Sequence, residues 1–239
     1  MKYSMKFFVP LALTAAAAMV YASTFNVQWG GALRAVHGGD TSGKVALDQF
    51  RQMPNLYAVG PVAGLDGEIT AYDGKLHISR VRHHQVTNDS DYSGKASFLV
   101  WAQIKAWAPI VNLTNVATLA DIDERIEKLA KKEGVDTSKP FPFLVEGQID
   151  SLKYHVLVPK LTNHDASQSG HSGGHADNAK NIELKNASVK LVGFYSNNHE
   201  GVFTHKGSKT HLHVIEANGN TGHVDELAIR STVNLTFPK

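Results

Sequence analysis

Between Leu56 and Val81 the chain runs LYAVGPVAGLDGEITAYDGKLHISRV, where short β-branched and aromatic runs are cut repeatedly by glycine. LYAVG, EITAY and KLHISRV are each too short for a stable helix, and their residue types favour the pleated surface of a sheet. Asp73-Gly74 stands between the second and third runs. Both residues tolerate positive φ, so the pair predicts a tight hairpin and an antiparallel pairing. This punctuation constrains the fold more than any other feature. It calls for many short strands and leaves little room for a helical bundle.

The rest of the chain repeats the theme. SFLVWAQIKAWAPIV (97–111) predicts a buried strand at its start, and FPFLVEGQIDSLKYHVLV (141–158) reads as two strands turning near Asp150. ELKNASVKLVGFYS, THLHVI, GHVDELAI and STVNLTF carry strand character to the C-terminal end. Helical signals are few. VALDQFRQM (45–53) has helical spacing through Val45, Leu47, Phe50 and Met53. Residues 118–134 are stronger. Thr118 caps, Asp121, Asp123 and Glu124 sit in the opening turns, and Ile122, Ile126 and Leu129 form one apolar face. Lysines gather at the far end, and Gly134 stops the helix. The expected class is α+β and strand-rich, in a two-part β-sheet architecture with few helices.

No cysteine is present, so the fold rests on its core rather than on disulfides. Met1 to Ala22 places Lys2 and Lys6 before the apolar run FFVPLALTAAAAMVYA, which ends in small residues. This is the pattern of a secretory signal peptide, and the run falls short of the roughly 20 residues that span a bilayer. A bacterial protein exported to the periplasm or secreted is expected, with no membrane attachment after cleavage. Removing 1–22 takes two lysines from the 24 basic residues and leaves them equal to the 22 acids. A near-neutral chain without a basic patch gives no reason to expect a nucleic-acid partner. Residues 23–239 remain, read as an N-terminal half to about 135 and a C-terminal half over about 136–239. The polar stretch 163–181, with His164, His171 and His175, reads as a loop inside the second half, either a solvated linker or a collector of zinc or copper.

The chain has 13 histidines, seven of them at or beyond position 171. His211 and His213 are two apart in a strand, so both project to one face. Residues 216–222 are turn-rich, and a returning antiparallel strand brings His223 opposite or diagonal to His213, roughly 4.5–8 Å away. Three imidazoles on one hairpin face can converge on a cation and leave coordination positions open, which suits catalysis better than a closed structural site. Spacing alone leaves surface histidines as the alternative. His199 and His205 flank this strand and read as loop residues. His83-His84 has no evident partner.

Together these stretches resemble the α-acetolactate decarboxylases. LYAVGPVAGLDGEITAYDGKLH is similar to the family's glycine-rich approach and LDGE motif, FLVEGQIDSLKYHVLV to its EG-containing strands, and VKLVGFYS, THLHVI and GHVDEL to its GFY, HxH and GH segments, in that order. The resemblance spans roughly 26–231. It implies a zinc ion held by His211, His213 and His223, Glu68 close to the metal, a homodimer, and conversion of the hydroxy-keto acid 2-acetolactate to acetoin and CO₂. Decarboxylation leaves an enediolate, whose charge a chelating metal stabilises before an acid protonates carbon. Glu68 would hold the site together or take part in that protonation; read alone, it is a carboxylate beside a turn.

Two positions depart from the family. Where it carries an arginine suited to gripping a carboxylate, nine residues past Glu146, this chain has His155. The family also places a second active-site glutamate well beyond the last zinc histidine, whereas sixteen residues follow His223 here. Two alternatives therefore stand beside the decarboxylase. One is a non-catalytic periplasmic metal-binding protein on the same fold. The other is a lyase or isomerase for another small hydroxy-keto acid, with His155 as the carboxylate clamp.

Overall fold

The computed structural model describes residues 25–159 and 178–239. The signal-peptide reading of residues 1–22 lies outside these, as do His164, His171 and His175.

Fourteen strands and two α-helices are present among the described residues. The first sheet is antiparallel. It draws on β1 (Gln28–Gly30), β3 (Leu56–Pro61), β4 (Glu68–Tyr72), β5 (Lys75–Arg82), β6 (Gln85–Asp89) and β8 (Leu99–Gln103), in the order β1-β8-β3-β4-β5-β6. The β4–β5 turn is the expected tight hairpin. Asp73 and Gly74 both have positive φ, 51° and 82°, and Tyr72 pairs with Lys75. Helix α1 (Leu33–His37) follows β1, and the short β2 (Val45–Ala46) and β7 (Lys95–Ala96) pair with each other. The helix expected over 45–53 is instead β2 followed by one 3₁₀ turn, Leu47–Phe50. Leu47 and Phe50 are both buried, so the apolar spacing marks core contacts that a single turn can make.

The second sheet holds β9 (Val111–Leu113), β10 (Phe141–Leu157), β11 (Ala179–Tyr195), β12 (Thr210–Ile215), β13 (Thr221–Ala228) and β14 (Val233–Thr236). The sequence reading put a turn near Asp150, but β10 is one strand of 17 residues. Its pairing with β11 skips only Asp150 and Asn186 and resumes in the same register. Asp150 instead accepts hydrogen bonds from the backbone N–H groups of Arg230 and Ser231. Before that point β10 takes β14 as its other neighbour, and after it β13. The polar stretch is also shorter than expected, because β11 begins at Ala179. β11 pairs with β12, β12 with β13 and β13 with β10, so the pairing closes on itself.

Helix α2 (Leu119–Lys132) forms as its sequence predicts. Thr118 and Asp121 make a reciprocal capping box, and Gly134, at φ 80°, follows the helix end. Ile122, Ile126 and Ala130 pack into the core of the second sheet. A separate cluster joins the two sheets, with Val59, Phe98 and Val100 meeting Leu144, Val192, Phe194 and Ile215. β4 lies against β12 and β13 across this junction.

Candidate metal centre

His211 and His213 project from β12 into the junction and are buried. His213 pairs directly with His223 of β13, the tighter of the two registers open to the turn. Each β12 histidine has its Nδ1 committed. His211 Nδ1 donates to the Phe203 carbonyl at 2.7 Å, since a carbonyl only accepts. His213 Nδ1 meets Thr70 Oγ1 at 3.0 Å. Thr70 Oγ1 lies 2.5 Å from Thr221 Oγ1, which donates to the Val214 carbonyl at 2.6 Å. With the Thr221 proton spent on Val214, Thr70 donates to Thr221 and must accept from His213. The chain of hydroxyls therefore fixes the His213 tautomer, as carboxylates and carbonyls do behind metal-bound histidines.

Both Nε2 atoms are then bare lone pairs, and they face each other at 3.2 Å. Two acceptors so placed repel unless a proton or a cation lies between them. Burial, followed by the neighbouring His223, pushes both imidazoles well below their ordinary pKa, which disfavours the proton. The separation suits a cation. Zn–N bonds of about 2.0–2.1 Å set a tetrahedral edge of about 3.3 Å.

His223 supplies a third ring, 4.9 Å from His211 and 5.8 Å from His213 between centroids. Its Nδ1 meets Asp225 Oδ1 at 3.2 Å. Asp225 stands at a β-bulge. Tyr154 pairs with Val224 and Lys153 with Glu226, so Asp225 is the extra residue on β13. Its carboxylate also takes His155 Nδ1, at 2.8 and 2.9 Å. Burial alone would raise Asp225, but the two imidazoles outweigh it and hold the carboxyl well below the usual range. Burial likewise opposes charge on His155, yet Asp225 and Glu68 leave its pKa raised.

Glu68 opens β4 at 2% exposure. Its carboxylate lies 3.7 Å from His213 Nε2 and 3.9 Å from His155 Nε2. Burial pushes Glu68 up to about 8, with His155 opposing. Gly67 makes this placement feasible. It has φ 120°, and a Cβ there would sit 2.1 Å from the Ser79 carbonyl oxygen. Gly222 does the same beside His223, where a Cβ would come within 2.3 Å of the His155 carbonyl oxygen.

Glu68, His155, His211, His213 and His223 thus come together around one point between the sheets. Asp225 belongs with them and was legible, being two residues past His223 on a strand. His205 was read as a loop residue, yet it stands beside the cluster. Ligand nitrogens of His205, His211 and His223 lie within 4.8 Å of one another, as do ligand atoms of His155, His223 and Asp225. His199 stacks on Phe203 and packs edge-on against Trp29, apart from the cluster. His83 and His84 form the exposed β5–β6 turn.

A sequence-family model for alpha-acetolactate decarboxylase matches residues 31–238. No curated protein matches the chain in sequence. Among solved structures, alpha-acetolactate decarboxylase from Bacillus subtilis strain 168 is similar with a TM-score of 0.68 at 16% identity, over 89% of this chain and 84% of that one. Acetolactate decarboxylase from Bacillus subtilis subspecies spizizenii gives 0.68 at 15% identity, over 89% and 85%. A protein of unknown function similar to alpha-acetolactate decarboxylase, from Staphylococcus aureus, gives 0.67 at 16% identity, over 88% and 84%. At these identities the structural likeness speaks for the fold.

Proposed function

The chain belongs to the α-acetolactate decarboxylase family, and from that premise we propose that it is a zinc-dependent enzyme converting 2-acetolactate to acetoin and CO₂. The observation that carries this reading is the pair of bare Nε2 atoms on His211 and His213, 3.2 Å apart, with Glu68 beside them. His211, His213 and His223 are the proposed ligands. When bound, the cation would polarise the ketone and hydroxyl oxygens of the substrate and stabilise the charge that develops on them.

The chain's own residues do the rest. His155 offers Nε2 to the substrate carboxylate, because its Nδ1 is held by Asp225. When the C–C bond to the carboxylate breaks, CO₂ leaves and the electron pair spreads into the adjacent carbonyl as an enediolate. Carbon then needs a proton. Glu68, beside His213 and His155, is placed to give it. The buried position of Glu68 keeps water from competing for that step.

Export is part of this reading, resting on the basic, apolar and small-residue order of residues 1–22. The replacement of a clamp arginine by His155 favours a second reading, a metal-binding protein without turnover. Purified protein loaded with zinc and given 2-acetolactate separates the two. Acetoin release above the uncatalysed rate, lost in Glu68→Gln, supports the enzyme. Bound zinc with no acetoin supports the second reading, and no bound metal removes both.

A further inference from the structure

His205 lies on the irregular segment between β11 and β12, outside the ligand set proposed above. Its ring sits 4.7 Å from His223 and 5.4 Å from His211 between centroids, and His37 at the end of α1 lies 5.8 Å away. Its Nε2 is buried and makes no hydrogen bond. A buried ring nitrogen without a partner is uncommon, because water lost from it is normally replaced by a donor or a cation. Those three neighbouring rings are all imidazoles.

The segment is held where it is by backbone bonds. Leu33 N–H donates to the Val202 carbonyl and Arg34 N–H to Gly201, which ties it to α1. The Phe203 carbonyl, two residues before His205, takes His211 Nδ1. The same loop therefore orients one proposed ligand and presents His205 to it.

We propose that His205 is a fourth metal-ligating imidazole, joining His211, His213 and His223 around one divalent ion. The buried, unpartnered Nε2 offers a lone pair, and ligand nitrogens of His205, His211 and His223 lie within 4.8 Å of one another. Four imidazoles fill a tetrahedral shell. Substrate oxygens then enter only by expanding that shell or by displacing a ligand.

This inference rests on the metal-binding reading above, and its test separates the two. The full chain, with His164, His171 and His175 changed to Gln, is loaded with one equivalent of cobalt(II) or zinc(II). X-ray absorption of the zinc form should count four imidazoles, and the cobalt form should give the intense visible bands of a tetrahedral site. His205→Gln should weaken metal affinity at least about tenfold and lower those bands as a solvent oxygen enters. Three imidazoles plus oxygen in the unsubstituted protein overturn the proposal without needing any variant. So does a His205→Gln protein, folded by circular dichroism, whose affinity and spectrum are unchanged. In those two cases the three-histidine reading survives. Absence of bound metal in the unsubstituted site overturns both.

Discussion

His155 is the proposed carboxylate clamp. Under the proposed reading, a single imidazole stands where the resemblance implies a guanidinium fork, so the grip on a carboxylate is one hydrogen bond rather than two. That one bond carries charge only while the ring is protonated. Burial opposes that charge, but Asp225 holds Nδ1 and raises the pKa. A raised histidine is cationic below its shifted pKa and loses its charge as pH climbs through it. Decarboxylation should therefore fall on the alkaline side, above the unperturbed value of about 6.5. Asp225→Asn should move that fall to lower pH by removing the main partner. His155→Gln should lower kcat/KM at every pH. His155→Arg should preserve or raise it and flatten the alkaline fall. Rate profiles that stay superimposable across all three variants would mean that His155 does not hold the carboxylate.

At the scale of elements, the start of β4 sets Glu68 in place, and Gly67 sets the start of β4. Gly67→Ala combines positive φ with a Cβ 2.1 Å from the Ser79 carbonyl oxygen, so β4 and β5 must part. A loss of at least about 2 kcal/mol is expected from the denaturant midpoint at constant slope. Gly64→Ala is the control. It shares positive φ but meets nothing within 4 Å, so only the backbone cost of about 1 kcal/mol remains. Equal losses would show that packing against β5 plays no part. These elements also show how far local sequence reaches. The β4–β5 hairpin and α2 were legible because their signals are local: Asp73-Gly74 in one, Thr118, Asp121 and Gly134 in the other. The His213–His223 pair was legible because strand alternation fixes faces. β10 was misread because turn chemistry at Asp150 looks the same whether the chain reverses or the carboxylate is spent on Arg230 and Ser231. His205 gave no signal at all. Its position depends on hydrogen bonds from α1, nearly 170 residues earlier in the chain, which no window of sequence contains.

Across the whole molecule, the candidate centre is also a seam. Glu68 and Thr70 come from the first sheet, the β12 and β13 histidines from the second, and Thr221 N–H crosses to Ser79 Oγ. An unfolded chain cannot assemble this set, so an ion held there stabilises the junction by mass action. At a free zinc concentration one hundred times Kd, the gain should be about 2.7 kcal/mol. The stretch with His164, His171 and His175 complicates the measurement, because histidines close in sequence can bind zinc in the unfolded chain too, which subtracts from the gain. Changing those three to Gln should therefore leave one ion per chain and enlarge the zinc-induced rise in melting temperature. His213→Ala on that background should abolish both, since it removes one of the two facing nitrogens and leaves Thr70 Oγ1 without its donor. One ion per chain and an undiminished rise in that variant would place the zinc away from β12, and the seam would then be held by packing and hydrogen bonds alone.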